Sequence, residues 1–140
     1  MTDMLQSFLD HPTVQVSITI GTEHWQKGET TLVVFGSGKS EVINKQAGKL
    51  TTYDGQLENT QVETLAQILL EADFVNLKRS DGSRKPGDVP IKIALNDGDT
   101  VVIESQKLWY GDRSKHPHLN KIIMQYDALV KELTNNALPY

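Results

Sequence analysis

Hydrophobic and polar residues alternate along the first clear segment of the chain, residues 14–20, which read VQVSITI. Val and Ile occupy every second position, and polar residues fill the positions between them. This period of two predicts a strand with one face in the core and one polar face. Further strands are predicted by TTLVVF (30–35), EVINK (41–45), IKIAL (91–95) and TVVIES (100–105). The segment GKLTTYDG (48–55) suggests a short additional strand.

Apolar residues recur at helical spacing in two longer segments. Thr60 and Glu63 have the spacing of a capping box, in which two side chains satisfy free amides at a helix start. The apolar face of this first helix comprises Val62, Leu65, Ile68, Leu69 and Ala72. Pro117 suits the first turn of the second helix. The apolar face of that helix comprises Leu119, Ile122, Ile123, Tyr126, Leu129, Val130 and Leu133. Residues 2–10 predict a short amphipathic helix at the N-terminus.

The order of these elements predicts the fold. Two hairpin-like segments, TLVVFGSGKSEVIN and PIKIALNDGDTVVIES, are each followed by a connection and one amphipathic helix. The sequence therefore predicts one α+β domain over residues 1–140. Its core is an antiparallel sheet of about five strands, with the two main helices packed on one face and a short N-terminal helix besides. We expect the other face of the sheet to be polar and open.

The segment VVFGSGKS (33–40) ends in Gly-Lys-Ser, like a phosphate-binding loop. Such a loop needs another glycine five positions before that Gly, and a helix directly after it. Val33 stands at the position of the first glycine, and the strand-like EVINK follows. We therefore expect a hairpin turn that binds no nucleotide.

The amino-acid composition indicates which kinds of partner and which cellular compartment to expect. The formal net charge is −4, and the chain contains no cysteine. An acidic balance disfavours general nucleic-acid binding, and no apolar run approaches the ~20 residues that cross a bilayer. The first residues also lack the basic segment and the cleavage site of a signal peptide. We expect a cytoplasmic protein that is not embedded in a membrane.

The segment WYGDRSKHPHL holds the richest group of chemical side chains. Asp112, His116 and His118 are residue types that ligate zinc, but their spacing matches no established zinc motif and Pro117 intervenes. The other interpretation is a solvated loop with His116 near the start of the last helix. The sequence assigns no catalytic residue or cofactor, and it favours a non-catalytic protein over an enzyme.

A cationic loop and two aromatic residues indicate a contact with a partner. Residues 78–92 carry five cations and two carboxylates, a local charge of +3, which suits an acidic partner. The cations of the loop proper are Lys78, Arg79, Arg84 and Lys85. Trp109 and Tyr110 could supply the apolar anchor beside them. The alternative is that the loop is only a solvated connection. Trp25 is either a lid over the core or a second contact anchor.

The segment LAQILLEADFVNL (65–77), followed by a loop, a hairpin and a final helix, resembles the layout of emfourin-type inhibitors of thermolysin-family proteases. The resemblance covers about half of the chain, depends on apolar spacing and carries no functional residue over. It implies a small α+β domain that acts by binding a protein surface.

These observations support three hypotheses of function. The first is a non-catalytic intracellular protein-binding or regulatory module, which binds another protein or self-associates as a homodimer through its open sheet face or an edge strand. The second is a small enzyme or ligand-binding domain with a site near residues 109–118. The third is a protease-inhibitor-like module.

Overall fold

The computed structural model describes residues 8–77, 88–98, 100–105, 108–114 and 116–135. Their strands and α-helices are β1 (Val14–Ile20), β2 (Glu29–Phe35), β3 (Lys39–Gln46), β4 (Lys49–Gln56), α1 (Asn59–Ala72), β5 (Pro90–Asp97), β6 (Thr100–Glu104), β7 (Leu108–Trp109) and α2 (Pro117–Leu133). Short 3₁₀ turns cover Phe8–Asp10, Phe74–Asn76 and Tyr110–Ser114. Neither of the two helices in these residues is long and apolar enough to span a membrane.

The strands form one antiparallel sheet in the order β4-β3-β2-β1-β5-β6, and β7 pairs with the start of β5. The predicted α+β class, antiparallel sheet and two main helices are confirmed. The additional strand suggested at residues 48–55 is confirmed as β4, and the sheet has seven strands instead of about five, because β4 and β7 extend it. Strand β4 lies at an edge, where most of its side chains stay exposed and the apolar signal is weak. Strand β7 has two residues, too few to show a period.

The predicted N-terminal helix falls mostly outside the described residues. Only its last three positions, Phe8–Asp10, are described, and they form a 3₁₀ turn. Phe8 is buried in the core.

One face of the sheet and both helices enclose the core. Ile18 lies opposite Leu32 of β2 and Ile93 of β5, so apolar residues of neighbouring strands meet on one face. All three side chains are fully buried. The apolar faces of α1 and α2 belong to the same buried cluster. The period of two in the sequence therefore gives the correct buried face.

Helix α1 begins earlier than the sequence predicts. Its N-cap is Glu58, whose backbone N–H donates to Gln61 Oε1 at 2.9 Å. The capping box expected at Thr60 and Glu63 is wrong, since Thr60 already lies inside the helix. The reason is the buried Leu57, whose N–H donates to the Gly38 carbonyl at 2.9 Å. This contact fixes the chain immediately before Glu58.

The turn between β2 and β3 is the predicted hairpin. Gly38 has φ +90°, a conformation that glycine adopts without a steric penalty. The Ser40 hydroxyl donates to the Gly38 carbonyl at 2.9 Å. A strand follows the turn, so no helix N-terminus faces it as a phosphate loop requires.

Tyr126 connects helix α2 to the sheet. The Tyr126 side chain is fully buried, and its hydroxyl donates to the Thr30 carbonyl of β2 at 3.0 Å. Pro117 lies in the first turn of the helix, as predicted.

Replacing Tyr126 by Phe is expected to lower the free energy of unfolding by about 0.5–1.5 kcal/mol, because a buried hydrogen bond is lost. Denaturant unfolding measures this change. The matched control is Tyr53→Phe, since the Tyr53 hydroxyl makes no hydrogen bond to another described residue. Equal losses in both variants would contradict the assigned bond.

Candidate partner-binding surface

The predicted aromatic segment lies directly against the end of the cationic loop. Trp109 is paired with Pro90 in the sheet. The Tyr110 N–H donates to the Val89 carbonyl at 2.8 Å, and the Gly111 N–H donates to Asp88 Oδ1 at 2.9 Å. The last residues of the loop and the aromatic segment are therefore neighbours. The predicted contacts Lys78, Arg79, Arg84 and Lys85 lie outside the described residues.

Two carboxylates in this region hold the backbone in place. Asp88 Oδ1 accepts hydrogen bonds from two backbone N–H groups, those of Val89 and Gly111, both at 2.9 Å. Asp112 is 3% exposed and accepts the Trp109 N–H at 2.9 Å. The carboxyl group of Asp112 thus supports the turn that presents the aromatic residues.

The structure places the other two candidate ligands at the start of α2. His116 is the N-cap residue, and its backbone N–H donates to the Asp112 carbonyl at 3.1 Å. His118 is exposed in the first turn. Among the described residues, no three His, Asp or Glu side chains are grouped as a metal site requires. The metal interpretation therefore has no geometric support in this part of the chain.

Trp25 and Tyr110 form an aromatic pair that sequence reasoning did not connect. Their ring centroids are 5.8 Å apart and the rings are tilted by 58°. Trp25 comes from the β1–β2 loop and lies against Gly21. A Cβ atom on Gly21 would lie 2.7 Å from Trp25 Cε3 and 2.3 Å from the Gly28 carbonyl oxygen. The glycine at position 21 therefore makes room for the Trp25 ring.

Two cations accompany the aromatic pair. The Arg113 guanidinium carbon lies 3.9 Å from the Tyr110 ring centroid, and Arg113 Nη1 donates to the Tyr110 carbonyl at 2.8 Å. The Lys27 ammonium lies 5.8 Å from the Trp25 ring centroid. Such contacts are cation–π interactions. All four side chains are half-buried. We call Trp25, Lys27, Tyr110 and Arg113 the aromatic–cation surface.

A half-buried carboxylate lies beside this surface. Burial raises the pKa of Asp127 above its ordinary value, while the nearby charges of Lys131, Lys27 and Arg113 act in the opposite direction. Lys27, Lys131 and Arg113 place three cations around Asp127, and the carboxylates of Asp88 and Asp112 lie in the same region. The whole chain has a charge of −4. Lys27 and Arg113 therefore place positive charge directly on the two aromatic rings, although the whole chain is acidic.

The raised pKa gives a pH-dependent prediction for Asp127. The folded state binds the Asp127 proton more tightly than the unfolded state, so ionised Asp127 reduces stability above its folded pKa. That penalty disappears as the pH falls through this pKa. We expect Asp127→Asn to be more stable than the wild type at pH 7, with a difference that shrinks toward pH 4. Thermal unfolding at several pH values measures this. Glu63→Gln on the exposed side of α1 is the control, and a difference that grows on acidification would contradict the assignment.

An open depression of about 610 Å³ adjoins the surface at Arg113. Its lining residues are Gly111, Arg113, Ser114, Pro117 and Asn120. They provide a guanidinium, a hydroxyl and an amide, which are hydrogen-bonding groups for a polar ligand. Four of its five lining residues fall in the region 109–118 of the alternative ligand site, but the predicted ligands Asp112, His116 and His118 are not among them.

The chain matches no protein-family model and no curated protein. Of the members of the aromatic–cation surface, the sequence pointed to Tyr110 and to Trp25 separately. It missed Arg113 and Lys27, and the only available signal was that Arg113 lies three residues after Tyr110.

Proposed function

We propose that the chain is a non-catalytic intracellular protein-binding module that uses the aromatic–cation surface to hold its partner. The observation that carries the proposal is the half-exposed Trp25–Tyr110 pair with Arg113 stacked on Tyr110 at 3.9 Å. Trp, Tyr and Arg are the residues that most often dominate binding energy at protein interfaces. Trp25 and Tyr110 pack against the core and against each other, so little rotamer entropy is lost when a partner binds.

The charge of the surface indicates the chemistry of the partner. Lys27 and Arg113 lie on the rings of the aromatic pair, and the end of the cationic loop, at Val89, lies beside Tyr110. An acidic protein surface complements this arrangement and would be attracted to it before contact. Attraction of this kind weakens as salt is added, because the screening length is ~8 Å at physiological ionic strength.

Quantitative affinity capture from a native lysate tests the proposal. Arg113→Ala removes both a charge and the stacking on Tyr110, while Lys121→Ala removes an exposed charge on α2. We expect Arg113→Ala to reduce capture of the salt-sensitive partners about tenfold or more, which corresponds to ~1.4 kcal/mol. Lys121→Ala should capture the wild-type set. Equal capture by Arg113→Ala, with unchanged circular dichroism, would overturn the proposal.

The loop cations are tested by a second variant, in which Arg79, Arg84 and Lys85 are together changed to Glu. We expect this variant to lose the same partners. Any binding that remains should depend less on the salt concentration. An unchanged partner set and salt dependence would show that the loop is a solvated connection.

A ligand-binding function is a second candidate, favoured by the open depression beside Arg113. Native mass spectrometry of freshly purified protein distinguishes it from protein binding. A bound small molecule would raise the mass above the 15.6 kDa of the chain, and Ser114→Trp, which fills the depression, should remove it. A measured mass equal to that of the chain would show that the purified protein holds no small molecule in the depression.

A further inference from the structure

Strand β4 is an edge of the sheet that lacks the usual protection against further pairing. Its eight residues pair with β3 in one unbroken register, whereas β6, at the other edge, has five residues and a bulge in its pairing with β5. Edge strands commonly avoid association through short length, bulges, proline or charge. The charges of β4, Lys49 and Asp54, lie toward its ends, and at its uncharged centre Leu50 is 60% exposed. Strand β4 is therefore open to pairing with another strand.

The backbone of β4 presents alternate hydrogen-bonding groups away from β3. The Leu57 N–H donates to the Gly38 carbonyl at 2.9 Å, so the odd-numbered residues of β4 bond to β3 and the even-numbered residues point outward. The outward groups include those of Leu50, Thr52 and Asp54. In the part of the chain that the structure describes, no other strand pairs with them. An added antiparallel strand would form about six hydrogen bonds here, two for each hydrogen-bonded pair.

The symmetry of a homodimer limits how a second copy of β4 can pair with this edge. Two antiparallel copies in one continuous sheet are related by a two-fold axis perpendicular to the sheet. Residues that lie opposite each other then share a face, so their numbers are both odd or both even. Because β4 spans Lys49–Gln56, the two longest registers have the axis at Thr52 or at Tyr53. We call them the threonine-centred and the tyrosine-centred register.

The charges beside this edge distinguish the two registers. On the sheet face away from the helices, Glu41 of β3 lies opposite Asp54, and the exposed Lys45 lies opposite Leu50. In the threonine-centred register Leu50 lies opposite Asp54 of the second copy, and the long Lys45 side chain can reach over Leu50 to that carboxylate. In the tyrosine-centred register Asp54 is diagonal to Asp54 of the second copy, which groups four carboxylates. Like charges at this distance destabilise a sheet.

The remaining charges of this face favour the same register. Glu29 lies opposite Lys45, so in the threonine-centred register Lys45 lies between Glu29 of its own copy and Asp54 of the second copy. Lys39 lies at the far end of β3, level with the end of β4. The tyrosine-centred register places Lys39 of one copy level with Lys45 of the other, and the threonine-centred register keeps these two cations apart.

The helix side of the sheet supplies an independent match for the threonine-centred register. There Lys49 of one copy lies opposite Gly55 of the other. Gly55 is covered by the Leu133 side chain, and Leu133 is the last residue of α2. The C-terminal end of a helix carries partial negative charge and attracts a cation. The Lys49 ammonium is thus brought to an end of α2 that stabilises it.

We infer that the chain forms a homodimer in which β4 pairs antiparallel with β4 of a second copy in the threonine-centred register. The outward backbone groups supply the hydrogen bonds. The charges select the occupant, because a second copy brings a cation to Asp54 and a helix end to Lys49 at the same time. The two sheets then continue as one across the two-fold axis.

Light scattering coupled to size-exclusion chromatography tests this inference. At about 100 μM the wild type should have twice the 15.6 kDa mass of the chain, and Thr52→Pro should have the mass of one chain. Proline at position 52 removes an outward N–H at the axis and no bond to β3, so the fold tolerates it. Met124→Glu, on the exposed side of α2, should remain dimeric. A monomeric wild type, or a dimer that survives in folded Thr52→Pro, overturns the inference.

A charge exchange tests the register and serves as the second test if Thr52→Pro does not fold. Lys45→Glu sets like charges against Asp54 of the second copy, and we expect it to raise the dissociation constant of the dimer about tenfold. The double variant Lys45→Glu with Asp54→Lys restores opposite charges and should return the dissociation constant toward the wild-type value. An unchanged dissociation constant in Lys45→Glu, or no recovery in the double variant, contradicts the threonine-centred dimer.

Discussion

Replacing Ile122 by Ala lowers the free energy of unfolding by about 2–5 kcal/mol, the usual cost of truncating a fully buried aliphatic side chain. Ile122 is 0% exposed and belongs to the cluster between α2 and the sheet. The lost methyl groups leave a cavity, because the sheet on one side and α1 on the other restrict local collapse. Denaturant unfolding measures the change, when the free energy of unfolding has the same dependence on denaturant concentration in both proteins.

The matched control for Ile122 lies two residues away on the same helix. Met124 is 62% exposed, and Met124→Ala should change the free energy of unfolding by no more than about 0.5 kcal/mol. Equal effects at both positions would show that the apolar stripe of α2 does not face the core.

Replacing Gly21 by Ala should destabilise the protein and displace Trp25. Gly21 has φ +101°, a conformation that costs a side-chain-bearing residue about 1–3 kcal/mol. The new Cβ would also collide with the Gly28 carbonyl and with the Trp25 ring, at 2.3 and 2.7 Å. Stability should therefore fall by more than the backbone penalty, and near-ultraviolet circular dichroism should report a changed aromatic environment.

Gly48 offers a control that separates these two causes. It also has a positive φ, +84°, but nothing lies within 4 Å of a Cβ built on it. Gly48→Ala therefore carries the backbone penalty without the collision. If Gly21→Ala and Gly48→Ala were equally stable and had the same aromatic spectrum, the contact between Gly21 and Trp25 would be refuted.

The elements with a complete period were predictable from the sequence; of the two incomplete strands, β4 was indicated by residues 48–55 and β7 was not. Strand β1 and helix α2 repeat their apolar positions over several periods, so local spacing predicts which face of each element is buried. Strand β4 has no buried residue, so its apolar signal is weak, and β7 is too short to repeat a period. The start of α1 depends on the long-range bond between Leu57 and Gly38, which no local capping motif can show.

The candidate surface was predictable only in part, for a related reason. Trp25 and Tyr110 are far apart in the chain, and they meet because β1 pairs with β5 and β5 pairs with β7. Their proximity depends on the pairing register of the sheet, which local sequence patterns do not reveal. Asp112 was a candidate ligand by residue type, yet its buried carboxyl group accepts a backbone hydrogen bond. Residue type alone does not distinguish a ligand from a turn-stabilising carboxylate.

Site-specific photo-crosslinking tests the proposed partner-binding surface most directly. A benzophenone amino acid is placed at one of three exposed positions: His24 beside Trp25, Glu63 on α1, or Thr52 on the open sheet face. After exposure to native lysate, we expect a discrete protein adduct from His24, with little from Glu63 and none of the same partner from Thr52. The same partner crosslinked as strongly from Glu63, or only from Thr52, would contradict the aromatic–cation surface as the binding site.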